Sequence, residues 1–335
     1  MKFLGSLFTF AVVGICSVFA RPDINQTDGT FRYWISEDSK QATIMGIVNQ
    51  SAISATVKPY IYVEGQKYTV HQIGAAAFSG SALQDLYIKS NVAKIHFSPN
   101  ALQGAKNIRT ITLDTTKVTA DLSAFDGCGT NLGFSGKGTE SLINDYAKKL
   151  LQQWRIPIEN YANLNESTRM RALHKLASTV KEKFGVNDKI AYPSNVAVVF
   201  ALKTGNTLGI ARAFRILALN MGFNYNDVHV GTDNAYYSWN YVYVNKGNGK
   251  KWYNLDIVNR AISADYTTNL FVTKAVQKRT LTNLYGSSAQ YLTNNLNPDN
   301  WSIYINQYGF NGESPSGSPE RFYDWLVRNR AGVTA

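Results

Sequence analysis

Gly80, Gly104 and Gly127 stand 24 and 23 residues apart, and Phe78, Leu102 and Phe125 lie two positions before them. A small alanine precedes each of those apolar anchors, and a strand-like apolar alternation follows each glycine. The three segments, residues 73–88, 97–113 and 122–134, therefore share a register, and a fixed short period is the mark of a repeat array. One strand per period implies a solenoid, in which a unit buries its apolar face only by stacking on the next. Glycine at a fixed place suits a turn that needs positive φ or close backbone approach. Upstream, residues 31–48 alternate like a hairpin, and residues 58–70 like a second, with Glu64-Gly65 at its turn. Those strands are expected to cap the open end of the stack. Cys128 has no neighbouring histidine in sequence and reads as a structural thiol. His71 and His96 fall among strands, where isolated histidines pack or face solvent.

From Thr139 the texture becomes helical. Residues 140–156 and 165–185 carry apolar residues at helical spacing. In the second, Asn165-x-x-Thr168 is a weak capping box and Ser167 a serviceable start. Residues 203–224, "KTGNTLGIARAFRILALNMGFN", read as a loop feeding a helix that is apolar nearly all round and stopped by Gly222. Thr207 stands at the mouth of that helix. Threonine there caps free N–H groups and contributes about 1 kcal/mol; it is also where some enzymes mount a nucleophile. Next, residues 236–244 alternate as a strand, "NKGNGKK" turns, and "WYNLDIV" returns.

The first half, from roughly residue 29 to 136, resembles the BspA-type leucine-rich repeats of surface proteins, on its "AFxGxxxLxxIxI" core and strand-rich lead-in. That repeat type often has a buried cysteine where Cys128 falls. The second half, from roughly 144 to 258, resembles the papain-like core of the transglutaminase-like family. There, cysteine opens a buried helix within Gly-x-Cys-x-Gly, histidine starts the next strand within His-x-Trp-Asn, and aspartate follows Trp-Tyr-x-x. This chain has Gly205-Asn-Thr207-Leu-Gly209, Tyr237-Ser-Trp239-Asn240 and Trp252-Tyr253-Asn-Leu-Asp256. The resemblance thus implies a degenerate triad at Thr207, Tyr237 and Asp256, with only the aspartate retained. A threonine hydroxyl is far harder to ionise than a thiol. Tyrosine, titrating near pH ~10, is no substitute base, and Asp256 has no imidazole to orient.

The expected architecture is two domains. A signal peptide over 1–20 precedes a short β-rich leucine-rich-repeat solenoid over 21–138. An α+β transglutaminase-like domain with a C-terminal extension fills 139–335. The expected function is a secreted, non-enzymatic binding or adhesion protein. The competing reading is an acyl-transfer enzyme that uses Thr207 with an unrecognised base. His229 lies on a strand before Tyr237 and off the pattern. Trp239 and Trp252 flank the degenerate site, and with His229 they are the cleft candidates for binding.

Lys2, the apolar run over 3–20 and the Val-Phe-Ala end have the plan of a secretory signal, against the alternative of an uncleaved anchor. The chain has two cysteines; Cys16 leaves with the signal, so Cys128 can pair only with another chain. Sequons begin at Asn25, Asn49, Asn165 and Asn300. The four histidines are widely spaced and no glycine loop cradles phosphate, so neither metal nor cofactor is expected. Lys and Arg number 34 against 23 acidic residues. That balance favours anionic surfaces but is scattered rather than clustered, and export argues against nucleic acid. The expected partner is a protein or polysaccharide at a cell surface or in extracellular matrix.

Overall fold

The structure, a computed structural model, describes residues 26–224, 227–232, 238–245, 251–255, 257–258 and 271–272. The signal segment, Asn25, Tyr237, Asp256, Asn300 and the C-terminal extension lie outside the described residues. Among the described residues, no helix is long and apolar enough to cross a membrane.

Strands β1 (Gln26–Thr27), β2 (Phe31–Ser36) and β3 (Gln41–Ile47) pair antiparallel in order. After β4 (Ser54–Val57), β5 (Tyr60–Val63) and β6 (Gln66–Ile73) form the hairpin expected around Glu64-Gly65. Both turn residues have positive φ, 49° and 80°, as a two-residue turn needs if it is to match strand twist.

β7 (Asp85–Ile88), β8 (Ile95–Phe97), β9 (Thr110–Leu113), β10 (Val118–Ala120) and β11 (Gly133–Ser135) complete the first half. They sort into two parallel ladders, β6-β8-β10 on one side and β4-β7-β9-β11 on the other. A solenoid-like stack is therefore present, but each coil carries two strands rather than the one expected. The second is short: Ile95-His96-Phe97 and Val118-Thr119-Ala120 each point two residues inward and one outward. Three residues give too little alternation to stand out in sequence.

The periodic glycines link the coils. Gly80, Gly104 and Gly127 have φ of 71°, 77° and 75°. Gly80 N–H donates to Gly104 O at 3.2 Å, and Gly104 N–H to Gly127 O at 3.1 Å. Phe78, Leu102 and Phe125 lie buried beneath them. The period is thus a backbone ladder with an apolar column under it.

Helix α1 (Gly138–Gln153) closes the far end of the stack. The open edge of β10 would leave backbone groups without partners. Ser141 Oγ accepts from Val118 N–H at 3.1 Å and donates to Val118 O at 2.9 Å. Asp145 accepts from Ala120 N–H at 3.0 Å, and Lys149 Nζ donates to Ala120 O at 2.6 Å. Spaced four apart, these side chains form one stripe of α1 and stand in for a further strand.

Helices α2 (Glu166–Lys183), α3 (Val196–Leu202) and α4 (Thr207–Met221) follow, with a short parallel pair, β12 (Gly185–Val186) and β13 (Thr204–Gly205). The start of α2 differs from the expected Ser167: Asn165 is its N-cap, accepting from Thr168 N–H at 2.9 Å. Strands β14 (Val228–Thr232), β15 (Ser238–Asn245), β16 (Lys251–Leu255) and β17 (Phe271–Val272) form an antiparallel sheet in that order. Phe97, Phe125, Tyr146 and Phe200 run as successive ring contacts of 5.4, 6.1 and 6.0 Å from the repeats into the helices. One apolar core therefore serves both halves.

Candidate functional site

The mouth of α4 is where the sequence put its question, and the helix is capped there by Asn206 rather than by Thr207. Asn206 Oδ1 accepts from Gly209 N–H at 2.8 Å, and its Nδ2 donates to Ser194 Oγ at 2.9 Å. Asparagine is as strong a cap as the alternatives and here wins the position. Thr207 begins the helix, and its hydroxyl accepts from the Ser238 backbone N–H at 3.1 Å. The flanking glycines have a packing reason. A Cβ on Gly205 would sit 2.6 Å from Pro193 O, and one on Gly209 only 2.1 Å from it.

Three tethers run up the same side of the helix. Thr207 holds Ser238; one turn on, Ala211 O accepts from Asn240 Nδ2 at 2.9 Å; a further turn on, Arg215 Nε donates to Val228 O at 2.6 Å, beside Val242. Four helical residues rise ~6 Å and two strand residues ~6.6 Å, so α4 and β15 stay in step. Asn240 also donates to His229 O at 3.1 Å and is fully buried.

Thr207 and Ser238, the first residue of β15, are thus brought together, while His229 is not placed with them. Ser238 pairs with Thr232, and His229 pairs with Tyr241. Three strand residues separate the two levels, about 10 Å. His229 is buried. Trp239 is 1% exposed and belongs to the interior rather than to an open face. Trp252 lies on β16, paired with Tyr243.

Sequence reasoning missed the buried arginines. Arg169, Arg212 and Arg215 are buried, so three of the positive charges counted toward the surface are inside. Arg169 Nη2 holds Asp227 at 2.9 Å and Nη1 donates to Tyr161 O at 2.8 Å. Its guanidinium also lies over the Phe223 ring, 5.2 Å from the centroid, and that ring stacks on Tyr161 at 5.0 Å. Arg212 donates to Ser194 O at 3.1 Å. The signal was there: two arginines inside an otherwise apolar "GIARAFRILAL" have no polar face to occupy.

The repeat stack presents a different surface. On the four-stranded parallel sheet, Thr56, Tyr87, Thr112 and Ser135 align in one outward row. Tyr87 is 36% exposed, and its hydroxyl donates to the Asp114 carboxylate, which holds the phenol above its ordinary pKa. Thr112 and Ser135 hydroxyls meet at 3.2 Å. On the other ladder His96 Nδ1 lies 2.9 Å from Thr119 Oγ1, and Nε2 3.1 Å from Asp121. Cys128 is half-buried, and burial pushes its thiol up to about 11. It is therefore a poor nucleophile at neutral pH. Among the described residues no cluster of histidine, cysteine and carboxylates could hold a metal.

No protein-family model matches the chain, and no curated protein matches it. Among solved structures, a leucine-rich repeat protein from Bacteroides ovatus ATCC 8483 aligns over 35% of this chain at 17% identity, with a TM-score of 0.23. The alignment spans 40% of that protein. A likeness at that score carries no weight, and the solenoid rests on its own ladders.

Proposed function

We propose that this is a secreted, non-enzymatic binding protein that presents a leucine-rich-repeat face to a protein or polysaccharide at a cell surface or in extracellular matrix. The observation that carries the reading is the outward row of the parallel sheet: a pinned aromatic, Tyr87, set among hydroxyl-bearing side chains on a stiff ladder. An aromatic whose orientation is already fixed gives up little entropy on contact. The second half is read as a transglutaminase-like scaffold that no longer runs acyl chemistry. What supports this is the engagement of the Thr207 hydroxyl by a backbone amide and the distance in register to His229.

Two measurements test it. The parent and a Tyr87→Ala variant are passed over immobilised matrix proteins and polysaccharides. Retention of the parent, with the variant weaker by about tenfold, is the expected result, and equal retention of the two removes the sheet face from the reading. In parallel, amine incorporation and peptide cleavage are assayed with the parent and Thr207→Ala. No turnover in either is expected; turnover in the parent that vanishes in the variant restores the enzyme.

A further inference from the structure

A trough runs along α1 where the last coils of the repeat stack meet the helices. Two cavities of about 570 and 510 Å³ lie along it, and Leu150, Gln153 and Lys203 line both. Each volume falls in the range of roughly 300–1,000 Å³ typical of ligand pockets.

The wall chemistry is balanced. In the first cavity Lys149 and Lys203 stand with Asp121 and Asp126. Lys203 Nζ holds Asp126 at 2.9 Å, and Lys149 Nζ holds Asp145 at 3.0 Å. Such a wall exerts no net pull on an anion or a cation, yet it alternates strong donors with strong acceptors, and the Gln153 amide supplies both. The ligand groups that match are hydroxyls, which donate and accept at one atom. The second cavity adds Trp154, half-buried, its ring edge-on to Phe184 at 5.7 Å. An indole suits the C–H face of a pyranose as it suits other flat apolar surfaces.

Lys203 lines both cavities. It ends α3 with φ 56°, in the left-handed region where glycine is the better-fitting residue. A lysine stands there at a conformational cost, with its ammonium held against Asp126 on the wall of the first cavity.

We infer that this trough binds a neutral oligosaccharide, at a site separate from the Tyr87 face. The binding role proposed above does not depend on it.

Titration calorimetry of the full chain with maltotriose, cellotriose and chitotriose, and with a heparin oligosaccharide as the anionic probe, tests the assignment. Binding of at least one neutral trisaccharide is expected. Lys203→Gly and Gln153→Ala should each weaken it by about tenfold. Lys203→Gly, which relieves the backbone, should keep the parent's Tm. No heat with any neutral trisaccharide, or a preference for heparin, overturns the inference. Loss of binding in Tyr87→Ala with Gln153→Ala intact overturns it too, and moves the sugar to the sheet face while the proposed function stands.

Discussion

The two halves of this molecule solve one problem, how to satisfy backbone and bury side chains, with different means. In the repeat stack the backbone does it: Gly80, Gly104 and Gly127 hydrogen-bond one coil to the next, and apolar residues fill the space beneath. At α4 and β15 the side chains do it, through Thr207, Asn240 and Arg215, each reaching a main-chain atom on a neighbouring element. A backbone ladder tolerates many side chains so long as its period holds. A tethered seam fixes particular polar residues in the interior, and polar residues fixed inside a helix mouth look like chemistry.

The largest effect is expected where a charge is buried. Asp227→Ala would leave the Arg169 guanidinium inside without its carboxylate, at a cost of about 3–5 kcal/mol. Chemical denaturation would show it, and a loss under 1 kcal/mol would mean the buried Arg169–Asp227 pair is not held as described. The paired change Arg169→Met with Asp227→Leu sharpens the point, because replacing both partners is close to neutral in many proteins.

Next comes a direct contrast between glycines. Gly209→Ala puts a methyl 2.1 Å from Pro193 O, a backbone atom, and should cost about 2–3 kcal/mol of overpacking. Gly80→Ala meets nothing within 4 Å and bears only the left-handed backbone penalty, about 1–2 kcal/mol. If thermal denaturation ranks the two the other way, packing is not what places glycine beside Thr207.

This contrast also explains what the sequence could and could not disclose. The repeats were legible because period, turn glycines and apolar anchors all repeat in register, and the Glu64-Gly65 hairpin because its turn chemistry is local. The second strand of each coil was not, since Ile95-His96-Phe97 is too short to show alternation. At the helix mouth the residues Gly205, Thr207 and Gly209 were visible, but their reasons were not. Pro193 lies twelve residues before Gly205 in the chain and only folding brings its carbonyl against both glycines. For the same reason Asn206, not Thr207, carries the cap: its second partner, Ser194, comes from another loop. Arg169 and Asp227 are 58 residues apart, beyond any local pattern.

The smallest effect, and the most specific, concerns Thr207 itself. Thr207→Val keeps the shape and removes the acceptor, leaving the buried Ser238 N–H without it; about 1–2 kcal/mol should be lost. Thr207→Ser keeps the hydroxyl and should stay within about 0.5 kcal/mol of the parent. A helix cap would give the same ordering, so the readout must be local: amide exchange at Ser238 should speed up in the valine variant and not in the serine one. Equal exchange in both would leave Thr207 without its tether. The hydroxyl would then be available for the acyl chemistry that the proposed function denies it.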